Sequence, residues 1–150
     1  MDNNSGIALD LALCQQDFDP HALLSSWEGN HRSAATAVFL GRMRDRSLAG
    51  ERLLAMELEH YPGMCEAQLQ ELAMHHSSAH AVDAVLLRHR VGRVQPGEAL
   101  VVLAVAAARR GPAQRCCQDL LEAVKHQAPF WKREITAAGR CHWVQGNTPL

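Results

Sequence analysis

The two lysines of this 150-residue chain are the residues whose type and spacing most strongly suggest chemistry. Lys125 and Lys132 lie on either side of Pro129, whereas thirteen arginines supply all the other positive side chains. An arginine stays charged at any working pH, but a desolvated lysine beside other cations can lose its proton and act as a nucleophile or proton carrier. The segment 123–134, AVKHQAPFWKRE, is therefore predicted to form part of a site.

Two further cationic groups follow apolar segments of the chain. Arg42 and Arg44 come after the apolar run 33–40, and Arg109 and Arg110 come after the run 100–107. Guanidinium groups hold phosphate oxygens in a fixed geometry, while an ammonium is a movable charge. If the fold brings these segment ends together with the lysines, the result is a pocket for a phosphorylated small molecule.

The composition favours a single globular domain over residues 1–150. Hydrophobic residues make up 47% of the chain, which is enough for a core, and the formal net charge is -1. A chain so nearly neutral has no global attraction for nucleic acid or an anionic membrane. Its apolar runs are too short to cross a bilayer. Its five cysteines are scattered and form no C-x-x-C pair, which indicates reduced thiols. We therefore expect a cytoplasmic protein.

Hydrophobic periodicity predicts the elements that position the cations. Apolar residues alternate along segments typical of strands, and apolar residues at helical spacing follow Tyr61-Pro62-Gly63 and Gly111-Pro112. Asp19-Pro20 predicts a brief helix over 21–27, and Pro129 predicts an extended segment after it. The predicted strands cover 7–13, 33–40, 53–60, 82–91, 100–107, 130–135 and a terminal strand around Trp143.

Taken together, the elements predict an α+β fold with a mostly antiparallel sheet and two main helices. The first helix is expected to end near His75 and the second to carry Lys125 in its last turn, while residues 1–6 are expected to be disordered. The histidines at 75, 76 and 80 flank Ser77-Ser78, which we interpret as a loop. Because no cysteine or carboxylate cluster accompanies them, no metal site is expected.

Four sequence blocks resemble one known family, the large, catalytic subunit of molybdopterin synthase. They are VFLGRMRD at 38–45, LEHYPGM at 58–64, HRVGRVQPGE at 89–98, and KHQAPFWKRE at 125–134 followed by Trp143. The resemblance implies an α/β hammerhead-like fold and an enzyme that needs no cofactor. Such an enzyme converts cyclic pyranopterin monophosphate (precursor Z) to molybdopterin. The sulfur for the dithiolene comes from the C-terminal Gly-Gly thiocarboxylate of a small ubiquitin-like subunit.

The resemblance also implies a homodimer of large subunits within a heterotetramer, and a role for each matched residue. Lys125 and Lys132 match the two lysines of the sulfur-transfer centre. The remaining matched residues bind substrate, with the arginine pair reaching it from the neighbouring large subunit: Arg42, Met43, Arg44, Arg109, Arg110, Arg133 and Glu134.

One departure from the family leaves two alternatives open. The family usually has histidine where this chain has Arg109, so a group able to exchange a proton near neutral pH is replaced by a fixed cation. One alternative is a catalytically impaired homologue that acts as a binding scaffold for the small subunit. The other is an unrelated enzyme that forms a Schiff base between Lys125 and a phosphorylated carbonyl compound.

Overall fold

A computed structural model describes residues 6–144 of the chain. Most of the amino-terminal segment 1–6, where we expected disorder, therefore lies outside the described residues. The described part contains three helices and eight strands. In chain order they are β1 (Ala8–Cys14), α1 (Pro20–Glu28), β2 (Ala35–Arg42), β3 (Leu53–His60), α2 (Met64–His80), β4 (Ala84–Arg90), β5 (Gly92–Val94), β6 (Ala99–Ala107), α3 (Arg110–Gln127), β7 (Phe130–Thr136) and β8 (Cys141–Val144).

The strands form two four-stranded sheets. The first has the order β1-β4-β6-β2, and the second has the order β5-β3-β7-β8. Only β1 and β4 pair in parallel, whereas every other pair of these strands is antiparallel, including the predicted pair β4 and β6. The predicted α+β class with a mostly antiparallel sheet is confirmed, although the sequence did not reveal the division into two sheets.

The core has one layer of helices on each face of the first sheet. Alternate residues of β4 and β6 pack with α2 and α3 on one face, and the residues between them pack with Trp27 of α1 on the other. A separate cluster beneath the second sheet consists of Met43, Leu53, Met56, Leu58 and Val94. No helix in the range 6–144 is both long enough and apolar enough to cross a bilayer.

Helix α2 is longer than the sequence indicated. The expected end near His75 was wrong, because the helix continues through Ser77-Ser78 to His80 and stops at Ala81, whose φ of 53° is left-handed. Ser77 is fully buried against the core, so packing overrides the modest helix propensity of serine. This extension places His76 and His80 one helical turn apart on the same helix.

Two strands are less buried than expected. Strand β2 was expected to be buried on both faces, but it lies at the edge of the first sheet, and Val38 is 46% exposed. In β3, the register with β7 shifts between Leu53 and Ala55, so Leu54 leaves the ladder and is 52% exposed. A bulge of this kind displaces one side chain from the alternation that the sequence shows.

Candidate functional site

A cleft of about 690 Å³ opens between the two sheets and the carboxyl end of α3. Its walls come from the end of β2 and the loop after it, from β3, from the last turn of α3, and from β7. Five of the predicted site residues line it: Arg42, Arg44, Lys125, Lys132 and Glu134. The structure therefore brings the arginine loop together with the segment 123–134, which lies about 80 positions later in the sequence.

Lys125 reaches the cleft because α3 ends just after it. Ala128 leaves the helical conformation with a ψ of 138°, as expected for a residue before proline, and the chain turns into β7. The Lys125 ammonium lies 5.8 Å from the centroid of the Phe39 ring, a cation–π distance. The aromatic ring holds the charge over an apolar wall of the cleft, which Phe39 lines.

Lys132 is positioned by the alternation of side chains along β7. Phe130, Lys132 and Glu134 line the cleft, whereas Trp131 and Arg133 fall on the opposite face of the strand. In the antiparallel register with β3, Lys132 lies opposite Leu58, which also lines the cleft. The predicted extended segment after Pro129 is thus confirmed, and its two-residue period selects which side chains reach the site.

The environment of Lys132 disfavours its protonated form. Burial lowers the pKa of this amine most, the positive charges of Lys125 and Arg44 lower it further, and Glu134 opposes them. A desolvated amine beside two cations loses its proton more readily than an exposed lysine does. Lys132 is therefore the group of this cleft best suited to donate or accept a proton.

His89, which was predicted only as a strand residue, also lines the cleft. Its ring stacks on Phe130 with centroids 4.1 Å apart and planes 11° apart, and its Nδ1 lies 2.8 Å from the carbonyl oxygen of Arg90. Burial lowers the pKa of His89 to about 4, against the opposing hydrogen bond with Arg90, and Lys132 and Lys125 lower it as well. A neutral imidazole whose Nδ1–H donates to the carbonyl fits this environment. Its position at the start of the block HRVGRVQPGE was the available signal.

The arginine loop forms the outer part of the cleft. Arg42 and Arg44 are both exposed, and Arg42 Nη1 donates a hydrogen bond to the Gly97 carbonyl oxygen at 3.3 Å. Gly41 allows the strand to pass close to its neighbours, because a Cβ at this position would lie 3.0 Å from Val101 and 3.1 Å from the Phe39 ring. Glycine thus permits the packing that sets the position of Phe39.

Four predicted substrate-binding residues do not line the cleft, and the first two of them are Met43 and Arg133. Met43 is 3% exposed and belongs to the core cluster of the second sheet, with its backbone N–H donating to the Glu98 carbonyl oxygen at 2.9 Å. Arg133 forms an ion pair with Glu57 and lies 5.5 Å from the centroid of the Trp143 ring. Met43 therefore fixes the arginine loop to the core of the second sheet, and Arg133 stabilises the pairing of β7 with β3 on the face away from the cleft.

Arg109 and Arg110 lie at the other end of α3. They line a separate shallow depression at the amino end of this helix, where both side chains are exposed. Arg110 and Lys125 are fifteen residues apart in one helix, which places them about 22 Å apart along its axis. Within one chain, this arginine pair and the lysine pair therefore belong to different surfaces.

The charges of the cleft determine what it can bind. Two lysines and two arginines face a space with apolar walls, so the cleft suits anionic ligands that also carry an apolar ring. Two carboxylates, Glu51 and Glu134, also line the cleft, and the charge of Glu134 favours the protonated amine of Lys132. Within 6–144, the group of side chains that could hold a metal ion, His76, His80 and Asp119, lies elsewhere, between α2 and α3.

Comparisons with known proteins agree on one family. The family model described as MoaE protein matches residues 13–127. The molybdopterin synthase catalytic subunit of Pasteurella multocida is 34% identical over 137 residues, covering 91% of this chain and 90% of that protein. The solved molybdopterin biosynthesis MoaE protein from Burkholderia ambifaria has a TM-score of 0.74 and 34% identity, covering 95% of this chain and 91% of that one.

A more distant structure shares the fold. A chain from the protein–protein complex of subunits 1 and 2 of molybdopterin-converting factor from Helicobacter pylori has a TM-score of 0.75. It is 18% identical and covers 90% of each chain. At this identity the similarity shows the fold alone.

Proposed function

Because this chain belongs to the MoaE protein family, we propose that it is the large, catalytic subunit of molybdopterin synthase. The enzyme converts cyclic pyranopterin monophosphate to molybdopterin. The dithiolene needs two sulfur atoms, and each comes from one thiocarboxylated C-terminus of a small ubiquitin-like subunit, which is left as a carboxylate. The partners are that small subunit and a second large subunit, in a heterotetramer. We further propose the cytoplasm as its location, which its five free cysteines support.

The charges of the cleft support this chemistry. Both the thiocarboxylate and the substrate phosphate are anions, so four cationic side chains offset the repulsion between them. Lys125, held over Phe39, is proposed to lie beside the terminal carbon and sulfur of the small subunit's tail. Lys132 is proposed to protonate or polarise the pterin-side oxygen that sulfur displaces. Glu134 orients the cation and does not act as the base.

The observation that carries the proposal is the lowered pKa of Lys132 between Lys125 and Arg44 in one cleft. A fixed cation could bind the substrate phosphate, but proton transfer to a leaving oxygen needs a group that gives up its proton more readily than an arginine or an exposed lysine does. The two lysines of the chain both lie in this cleft, so the amine chemistry is concentrated there.

The arginine pair is proposed to complete a neighbour's cleft. Arg109 and Arg110 are exposed at the amino end of α3, about 22 Å along the helix axis from the lysine of their own chain. A helix amino terminus with two guanidinium groups attracts phosphate. In a homodimer, the pair can reach the substrate phosphate only if it points into the adjoining subunit's cleft.

The test is sulfur transfer from the thiocarboxylated small subunit to the precursor, measured as dithiolene product in single turnover. Lys125→Ala and Lys132→Ala are each expected to reduce the rate at least about 100-fold, as for the loss of a charge-stabilising or proton-transferring group. Lys132→Arg retains the charge, but a guanidinium does not give up its proton at working pH, so the variant is expected to bind the precursor and to transfer sulfur more slowly than the wild type.

Arg32→Ala is the matched control, because it removes an exposed cation outside both depressions. Near-normal turnover of both lysine variants would contradict the proposed roles. A wild-type protein that binds the precursor and the charged small subunit but forms no product would instead favour the scaffold alternative. Borohydride trapping of an adduct on Lys125 would favour the Schiff-base alternative.

A further inference from the structure

A second cluster of chemically active side chains lies between α2 and α3, outside the cleft. Because α2 continues to His80, His76 and His80 are one turn apart on a single face, and α3 places Asp119 opposite them. One ligand atom from each of the three residues lies within 4.8 Å of the others. His80 Nε2 is 2.8 Å from Asp119 Oδ2.

We propose that His76, His80 and Asp119 form a binding site for a divalent transition metal, Zn²⁺ in particular. Two imidazoles and one carboxylate are a common three-residue ligand set for zinc, with water in the fourth position. The imidazole nitrogens disfavour Mg²⁺ and Ca²⁺, which prefer oxygen ligands. Asp119 is the carboxylate that sequence reasoning did not connect with the histidines, because it lies 39 positions beyond His80.

The spacing of the three side chains suits a metal after small adjustments. Zinc bonds of about 2.0–2.1 Å in a tetrahedron place neighbouring ligand atoms roughly 3.3 Å apart. The 2.8 Å pair would open slightly, and His76 would approach it by a rotation of its side chain. Asp119 is exposed and the two imidazoles are partly exposed, so the rotation meets little packing and a water molecule can reach the fourth position.

An ordinary ion pair between His80 and Asp119 does not account for the second imidazole. On α3, His126 and Glu122 form such a pair at 3.2 Å, and in the range 6–144 no further ligand joins them in a three-residue group. At the α2–α3 site, His76 adds a third ligand atom that lies within 4.8 Å of the other two.

The metal would connect α2 to α3 without taking part in the cleft. Asp119 lies six residues before Lys125, about 120° away around α3, and none of the three ligands lines the cleft. Binding to the folded chain alone would stabilise the packing of the two helices. The site therefore has a structural role, which is to hold α3, the helix that carries Lys125, against α2.

Isothermal titration of the full chain, without an affinity tag, tests the site. One Zn²⁺ per chain is expected to bind, and the melting temperature is expected to rise by at least about 3 °C with zinc in large excess over its Kd. Mg²⁺ at the same concentrations is expected to produce neither effect. Absence of a one-to-one zinc titration in the wild-type protein would overturn the proposal.

Matched variants separate this site from unspecific binding by surface histidines. His76→Ala and the nearly isosteric Asp119→Asn are each expected to weaken zinc binding at least about tenfold, since each removes one of three ligands. His75→Ala, which replaces the exposed neighbouring imidazole, is expected to bind as the wild type does. Equal weakening by His75→Ala and His76→Ala would also overturn the proposal. Zinc titration does not depend on sulfur transfer, so the proposed function can fail without affecting this result.

Discussion

Replacing His89 should remove a specific part of the acid sensitivity of the fold. The His89 ring is buried between the sheets and stacks on Phe130, and its pKa of about 4 is well below the usual 6.5. Below pH 6.5 the unfolded chain binds a proton on this imidazole, while the folded chain does not until about pH 4. Because the unfolded state binds more protons, the folded state loses stability as the pH falls through this window.

The magnitude follows from the two pKa values. The lowering of the His89 pKa from 6.5 to about 4 corresponds to a limiting loss of roughly 3 kcal/mol at pH values below both pKa values. Between pH 7 and pH 5 the linkage relation gives a loss of about 2 kcal/mol from this residue. His89 is only 9% exposed, so solvent screening does not reduce this figure substantially.

Urea unfolding of the wild type and of His89→Leu, at pH 7 and at pH 5, measures this contribution. The variant loses the hydrogen bond to Arg90, so its stability at pH 7 is expected to be lower, but its decrease toward pH 5 should be about 2 kcal/mol smaller. His75→Gln, which changes an exposed imidazole, is expected to retain the wild-type decrease. Parallel pH profiles for wild type and His89→Leu, within about 0.5 kcal/mol, would refute this reasoning.

Two further substitutions test the packing and the charge around the cleft. Gly41→Ala is expected to displace the side chain of Val101 or Phe39, because the new methyl group would lie too close to both. The unfolding free energy measured in urea should fall by about 1 kcal/mol, and sulfur transfer should become slower. Unchanged stability and an unchanged rate would contradict this expectation. Arg109→His is expected to make the KM for the precursor rise between pH 6 and pH 8, as the imidazole loses its charge, and to rise more than the KM of the wild type, whose arginine stays charged. A variant profile no steeper than that of the wild type would argue against contact with the phosphate.

The local sequence predicted the elements that carry the site. Pro129 indicated the break between α3 and β7, and the two-residue period after it correctly indicated an extended segment. The same period explains why Lys132 and Glu134 share a face. Arg133 was expected to bind substrate only because it lies between them in the block that resembles the family. Adjacent residues of a strand point to opposite sides, so a motif match does not imply a shared surface.

Long-range arrangement was the part that the sequence did not reveal. The Ser77-Ser78 pair is typical of a loop, but the buried side of α2 accepts Ser77, so the helix continues. The pairing of His80 with Asp119 joins residues 39 positions apart, and no local pattern encodes it. His89 likewise acquires its lowered pKa from burial and from two lysines on other elements.

Helix α3 carries the arginine pair at one end and Lys125 at the other, as one continuous rod. If the arginine pair completes a neighbour's cleft as proposed, each α3 helix contributes side chains to two clefts. A tilt of α3 that withdraws Lys125 from the cleft of its own chain would then also shift the phosphate contacts in the adjacent cleft. In such a dimer the two clefts would be mechanically coupled. Binding of the precursor in one cleft would then change the position of the cationic side chains in the other through the helix that they share.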